Sequence, residues 1–303
     1  MKFPNKIKVI EVGPRDGLQS LNKWIPTQDK VEMINLLSEA HFPVIEVSSF
    51  AHPKMVPMLN DAEKVFERIN RRTGTIYRAL APNLKGTIRA IETGMVDEIL
   101  GLLTVSETYM LKNQNMTLDD AIESAGKSLK LCEKANINFV MAMGVAFFCP
   151  YEGVIPNDKI LSIVERLYNK GIRRIYLAAS TGMENPSTIN QVFNIIRDKW
   201  SDIECGFHVH DSIGMAATNM FSALDAGAVS IEGSICGIGG GIAMPQETGD
   251  IGNLPTEDIV NMLNRSNIDT QLNTNLVSTT ADKIASLLNI TSSSHISRNK
   301  ASQ

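Results

Sequence analysis

Several features that would settle the class of this protein at a glance are missing from its sequence. No run of 18 apolar residues occurs in the 303 positions, which argues against a membrane span. Basic charge is not in excess: 29 Lys and Arg face 33 Asp and Glu, for a net charge of −4. Composition therefore offers no electrostatic case for nucleic acid or an anionic membrane surface. The opening Met1-Lys2-Phe3-Pro4-Asn5-Lys6 leads straight into a strand pattern, without the apolar core of a signal peptide, and predicts a cytoplasmic protein. The four cysteines (132, 149, 205 and 236) contain no CxxC pair and read as reduced thiols, mostly core residues. No GxGxxG follows the first strand; Gly13-Pro14-Arg15-Asp16-Gly17 stands there instead, against a dinucleotide-binding sheet.

What is present is a repeating alternation. Short apolar runs at 6–12, 44–50, 76–81, 97–104, 138–148, 174–180, 204–210 and 229–236 read as strands. Amphipathic patterns at 27–40, 60–71, 84–94, 117–136, 156–170, 186–200, 213–226 and 256–265 read as the helices between them. Eight strands, each followed by a helix, predict an α/β fold of the (β/α)8 TIM-barrel type. The expected organisation is a barrel domain over 1–270 and a C-terminal helical extension over 271–303, with a helix near 278–288 and a partly flexible Ser/Thr-rich tail.

A barrel gathers its chemistry at the C-terminal ends of its strands. His208 and His210 close the seventh strand. Side chains alternate along a strand, so the two imidazoles share one face about 7 Å apart, with Cys205, Phe207 and Val209 on the other. That arrangement, followed by Asp211, suits a divalent metal with an open position, though two hydrogen-bonded barrel histidines would look the same. Glu11 and Arg15-Asp16 end the first strand, Glu46 and Ser48 the second, and a Gly-rich loop from Gly237 to Gly241 follows the eighth. A carboxylate inside a Val/Ile strand is costly unless paired or metal-bound, which singles out Glu11 and Glu46.

Taken together, Glu11-Val12-Gly13-Pro14-Arg15-Asp16-Gly17-Leu18-Gln19, Val44-Ile45-Glu46 with Ser49-Phe50, Pro82-Asn83-Leu84-Lys85-Gly86 and Cys149-Pro150-Tyr151-Glu152-Gly153 resemble the 3-hydroxy-3-methylglutaryl-CoA lyase family. So do His208-x-His210-Asp211 and Gly252-Asn253-Leu254 with Thr256-Glu257-Asp258, in order from about residue 6 to 290. The resemblance implies a metal-dependent carbon–carbon lyase performing a retro-Claisen-type cleavage. It implies metal ligation by Asp16, His208, His210 and Asn253, with Mg2+ or Mn2+ first and Co2+ or Zn2+ also acceptable. Arg15, Glu46 and His208 become the catalytic candidates, and Glu11, Gln19 and Ser48 the substrate-binding ones, with Glu11 a second candidate for proton transfer. The implied partners are a small-molecule substrate, a CoA thioester among the options, and a second copy in a homodimer.

Three departures stand beside the likeness. The lyases carry a catalytic cysteine in a Gly-Gly-Cys loop; here Gly241 occupies that position, and the loop on to Asn253 is about three residues longer. Where the lyases read Leu-Gly-Asp-Thr, this chain reads Leu177-Ala178-Ala179-Ser180, so Ala179 replaces an aspartate. The family's Asn-Arg-Lys-Thr-Ser-Ser becomes Asn289-Ile290-Thr291-Ser292-Ser293, without its basic pair. Cys236 reads as an apolar filler, and Glu247 and Asp250 as solvated loop charges that could alternatively serve as the acid. A carboligase or aldolase acting on a 2-oxo acid, or a non-catalytic ligand-binding homologue, are the other readings.

Overall fold

The computed structural model describes residues 2–21, 23–241 and 251–298. Its strands are β1 (Lys8–Glu11), β2 (Val44–Ser49), β3 (Ile76–Leu80), β4 (Glu98–Thr104), β5 (Asn138–Gly144), β6 (Phe148–Cys149), β7 (Gly153–Val154), β8 (Arg174–Ala179), β9 (Glu204–Val209) and β10 (Ser230–Gly233). Eight of them close a parallel barrel in the order β1-β10-β9-β8-β5-β4-β3-β2, with β2 back on β1. This is the expected (β/α)8 barrel. The remaining pair, β6 and β7, is an antiparallel hairpin. The fifth strand stops earlier than its apolar run because Val145 turns to φ 42°, which no strand residue can adopt, and Phe148 then enters the hairpin.

The helices are α1 (Thr27–Glu39), α2 (Ala62–Arg68), α3 (Leu84–Glu92), α4 (Glu107–Gln114), α5 (Leu118–Ala135), α6 (Asn157–Asn169), α7 (Pro186–Lys199), α8 (Ala216–Asp225), α9 (Thr256–Arg265), α10 (Thr274–Leu288) and α11 (His295–Arg298). Thr117 caps α5 by accepting from the Asp120 N–H at 3.1 Å. Sequence periodicity misses α4, a short helix with no apolar stripe. It is started by Ser106, whose hydroxyl accepts from the Tyr109 N–H. Helix α10 packs on α1 and α9. Beyond it, Asp258 ties down the tail: Ser294 Oγ donates to it at 2.7 Å, and the His295 and Ile296 N–H groups at 2.9 and 3.0 Å.

Strand alternation sorts the side chains into two cores. Ile10, Val12, Val44, Leu80, Leu100, Val140 and Tyr176 fill the barrel interior. Val9, Ile45, Tyr77, Ile99, Phe139, Leu177, Phe207 and Ile231 face the helices. Two expectations are corrected by this pattern. Ile10 and Val12 point inward, so Glu11 between them points out; it does not share the barrel interior with Glu46. Its Oε1 accepts from the N–H groups of Gly13 and Ile235 at 2.7 and 2.9 Å. In β2 the register slips between Glu46 and Ser48, a bulge that sets Ser48 opposite outward Ala79 and Ser49 opposite inward Leu80. Ser49, not Ser48, therefore faces the interior.

Candidate active site

A cavity of about 290 Å3 opens within the barrel. Its lining includes Arg15 and Asp16 from the π-helical turn after β1 (13–17), Gln19, Ser49 from β2, His208 and His210 from β9, and Glu232 from β10. All of these lie on one contiguous arc of the barrel, because β2, β1, β10 and β9 are consecutive neighbours.

The two imidazoles turn the same way, as their spacing predicts. Their Nε2 atoms lie 2.9 Å apart. Each Nδ1 faces an acceptor: Glu232 Oε2 at 2.9 Å from His208, and the Ile251 carbonyl at 3.2 Å from His210. Burial raises the Glu232 carboxyl, but the charge of Arg78 and the His208 hydrogen bond outweigh it and hold its pKa at about 2. Both Nδ1 atoms must therefore carry the proton, and the Nε2 lone pairs meet head-on. Only a positive charge between them makes that contact favourable, either a proton or a metal ion. Burial lowers both imidazoles; the Glu232 hydrogen bond and Asp16 reverse this for His208, whereas the neighbouring His208 adds to it for His210, at about 4.

The remaining donors fit an ion. Asp16 lies with both histidines so that one ligand atom from each falls within 4.8 Å of the others, and Asp16 Oδ2 is 3.8 Å from His210 Nε2. Burial favours a neutral Asp16, yet the charges of Arg15 and the histidines prevail and hold it at about 2, ionised as a ligand must be. Asn253 is brought in by its segment pairing back along β9, where the Leu254 N–H donates to Val209 O. Its Nδ2 donates to Asp16 Oδ2 at 2.7 Å and to Ile238 O at 3.0 Å. Its Oδ1 is buried with no hydrogen-bond partner among the described residues, an oxygen left for a cation. A Cβ on Gly239 would collide with Asn253 Nδ2, so that loop position requires glycine. Two nitrogen ligands about 2.1 Å from one ion at right angles stand about 3 Å apart, which matches the imidazole pair.

Beside this centre, Arg15 Nε donates to Glu46 and Arg15 Nη1 to Asp16 at 2.6 Å. Burial works against its charge, but Glu46 and Asp16 more than compensate. Gln19 Nε2 donates to Asp16 Oδ1 at 2.9 Å and to Gly240 O at 3.2 Å. Glu46 is shared with Arg78, 2.6 Å from its second oxygen, and Arg78 pairs in turn with Glu232.

The sequence reading did not single out Arg78, Glu232 or α4, which contributes Tyr109, Lys112, Asn113 and Gln114 to the cavity, and it named Ser49 only within a motif and gave it no role. The argument that picked out Glu46, a charge inside an apolar strand, applies equally to Arg78 in Ile76–Leu80 and Glu232 in Ser230–Gly233. Glu11 and Ser48 do not line the cavity, nor does Ala179, which points into the helix-facing core while Ala178 and Ser180 face inward. Gly241 does line it. No cysteine does: Cys236 Sγ donates to Ala281 O and Cys149 Sγ to Ser106 Oγ, both buried. Glu247 and Asp250 lie outside the described residues.

Comparison with known proteins agrees with this geometry. Residues 6–284 match the HMGL-like family. The chain is 36% identical over 272 residues to a hydroxymethylglutaryl-CoA lyase of Bacillus subtilis, covering 90% of both. A crystal structure of the B. subtilis HMG-CoA lyase superposes with a TM-score of 0.93 at 34% identity over the whole of both chains. A structure of an HMG-CoA lyase from Acinetobacter baumannii with coenzyme A and 3-methylmalate superposes at 0.92 and 33% identity, covering 99% and 97%. From its barrel, its buried imidazole pair and these relatives, the chain belongs to the HMGL-like family and stands among the carbon–carbon lyases.

Proposed function

We propose that this protein is a divalent-metal-dependent lyase that splits the C2–C3 bond of a short 3-hydroxy-3-methylacyl thioester, as in hydroxymethylglutaryl-CoA. The observation that carries this reading is the convergence of Asp16, His208 and His210 beside a buried Arg15. Asp16, His208, His210 and Asn253 would hold the ion, Mg2+ or Mn2+, with Co2+ and Zn2+ compatible with the same donors. A divalent ion held there supplies Lewis acidity toward substrate oxygens. Arg15 keeps a fixed positive charge for the enolate oxygen that bond cleavage leaves, and cannot lose it by deprotonation. Glu46 and Asp16 fix the guanidinium from two sides, so its donors need not reorganise as charge develops. Gln19 steadies Asp16 and the Gly240 backbone. With Gly241 in place of a thiol, the enolate takes its proton from water or from Glu247 or Asp250. The coenzyme A seen in the A. baumannii relative supports a CoA thioester here. The four buried, unpaired cysteines suit a reducing compartment, and we place the protein in the cytoplasm.

The test is a mass-spectrometric screen of Mn2+-loaded protein against 3-hydroxyacyl-CoA thioesters and 3-hydroxy acids, with release of acetyl-CoA as the expected product. A strict requirement for a 2-oxo acid, with no thioester cleaved, would replace this reading with an aldolase. Full metal occupancy without turnover would replace it with a binding protein.

A further inference from the structure

The cavity has two chemically different walls. In the closed barrel, β3, β4 and β5 lie diametrically across from β9, β10 and β1. The metal and arginine residues come from the second group and the turn after it. The facing wall is apolar, with Leu80 from β3, Leu100 and Leu102 from β4, and Ala142 from β5. Helix α4 follows β4 and brings Lys112 and Gln114 to the rim of that wall.

Lys112 has no counter-charge. Arg15, the other fixed cation of the described lining, is held by Glu46 and Asp16. Lys112 makes no ion pair among the described residues; its ammonium lies 4.8 Å from the Tyr151 ring centroid, a contact that leaves the charge in place. Glu152, next to that tyrosine in the chain, is already engaged: it accepts from the Thr108 N–H at 2.9 Å and lies 3.4 Å from Lys159 Nζ. Gln114 plays a different part. Its Nε2 donates to the carbonyls of Pro82 and Leu102, both at 2.9 Å, which fixes the amide and leaves Oε1 buried without a partner among the described residues. So held, Oε1 can only accept; it turns away a bare anion and joins one through a water that donates to both. A ligand suited to this side has an apolar stretch for the leucines and an anionic end for Lys112. A carboxymethyl arm carries both, a methylene and a carboxylate.

We infer that Lys112 binds the carboxylate at the end of the substrate's C3 arm. This rests on the lyase reading above and names the residue that reads that arm. A charge-assisted hydrogen bond from the ammonium to the carboxylate is worth about 10- to 100-fold in affinity. Lys112 is exposed, so salt screens the pair and the gain shrinks as ionic strength rises.

The experiment is a cycle of calorimetric titrations on Mn2+-loaded wild-type, Lys112→Met and Lys112→Arg proteins. The probes are 3-hydroxy-3-methylglutarate and 3-hydroxy-3-methylhexanoate, in which an uncharged propyl arm replaces the carboxymethyl one. Lys112→Met should weaken the dicarboxylate about 10- to 100-fold and leave the alkyl acid and the metal affinity unchanged. Lys112→Arg should keep most of the dicarboxylate affinity, and the difference between wild type and Lys112→Met should narrow in high salt. Equal losses for the two probes, or no loss for the dicarboxylate, overturn the inference. Cleavage of hydroxymethylglutaryl-CoA is followed in parallel, where Lys112→Met should raise KM by the same factor. A selective loss of dicarboxylate binding, with no thioester cleaved by wild type, supports the role of Lys112 and overturns the lyase reading. Cleavage with an unchanged KM in Lys112→Met does the reverse.

Discussion

His208 Nδ1 lies 2.9 Å from Glu232 Oε2, and that contact decides which nitrogen His208 offers to the cavity. Glu232 is itself held by Arg78, a fully buried guanidinium that also lies 2.6 Å from Glu46, the partner of Arg15. One arginine therefore braces both halves of the site: the imidazole pair through Glu232, and Arg15 through Glu46.

Removing the brace should be costly. Arg78→Met removes the cation that Glu46, Glu98 and Glu232 share, leaving Glu46 with Arg15 alone and Glu98 with Arg174 alone, which is worth about 3–5 kcal/mol of lost stability. Denaturant melts measure it. A variant as stable as wild type would mean that one or more of those carboxylates is neutral in the fold.

Metal binding should track the imidazoles and the residue that orients one of them. His208→Ala and His210→Ala are expected to lose most of the bound ion, and Glu232→Gln to weaken affinity by about 10- to 100-fold. Equilibrium dialysis with Mn2+ gives the three constants. Wild-type metal content in either histidine variant rejects the assignment.

Arg15 should matter to turnover and little to the metal. Arg15→Lys keeps a positive charge but loses the planar fork that Glu46 and Asp16 hold in place. We expect kcat to fall by about 100-fold with metal content preserved. A variant nearly as fast as wild type would remove the enolate mechanism.

The two family residues missing from the sequence should behave differently when restored. Gly241 lines the cavity, so Gly241→Cys is expected to increase cleavage of hydroxymethylglutaryl-CoA. Ala179 is fully buried in the helix-facing core, so Ala179→Asp should not rebuild a proton relay; it should destabilise the fold by about 3 kcal/mol or more. Paired melts and rate assays separate the two effects, and a stable, faster Ala179→Asp variant would contradict the strand's assigned face.

Glu11 makes stability depend on pH. Burial raises its carboxyl from 4.5 to about 8, against the hydrogen bonds from Ile235 and Gly13. Between those values the unfolded chain has lost the proton that the folded one keeps, so stability falls as pH rises and levels off above about 8. The slope from one such group reaches about 1.4 kcal/mol per pH unit. Glu257, raised to about 7 mainly by burial, acts in the same direction. Glu11→Gln keeps the Oε1 acceptor and removes one titration, so its advantage in melting temperature should grow from pH 5 to pH 8. A constant difference across that range would mean that Glu11 is ionised throughout.

The barrel and the shared face of His208 and His210 were legible because each rests on a short-range rule. Eight apolar runs set between amphipathic helices leave few alternatives, and a His-x-His in a strand has both rings on one face whatever surrounds it. Arg15 and Asp16 were legible as residues of a distinctive turn after the first strand. Glu232 and Arg78 carried the same signal as Glu46, a charge in an apolar strand, but nothing local names their partners. Arg78 meets Glu232 across 154 positions of sequence, and only barrel closure brings them together.

The facing of Glu11, Ser48 and Ala179 was decided by tertiary structure alone. A one-residue register slip in β2 exchanges Ser48 for Ser49, and such a bulge leaves no mark in residue type. Glu11 and Ala179 are placed by which residues of their strands the interior core accepts. The sequence by itself determined which elements form and which chemistry they carry, because helix and strand periods and residue chemistry are local. Closure of the sheet decided which side chains share the cavity, because that depends on register between strands tens to hundreds of residues apart.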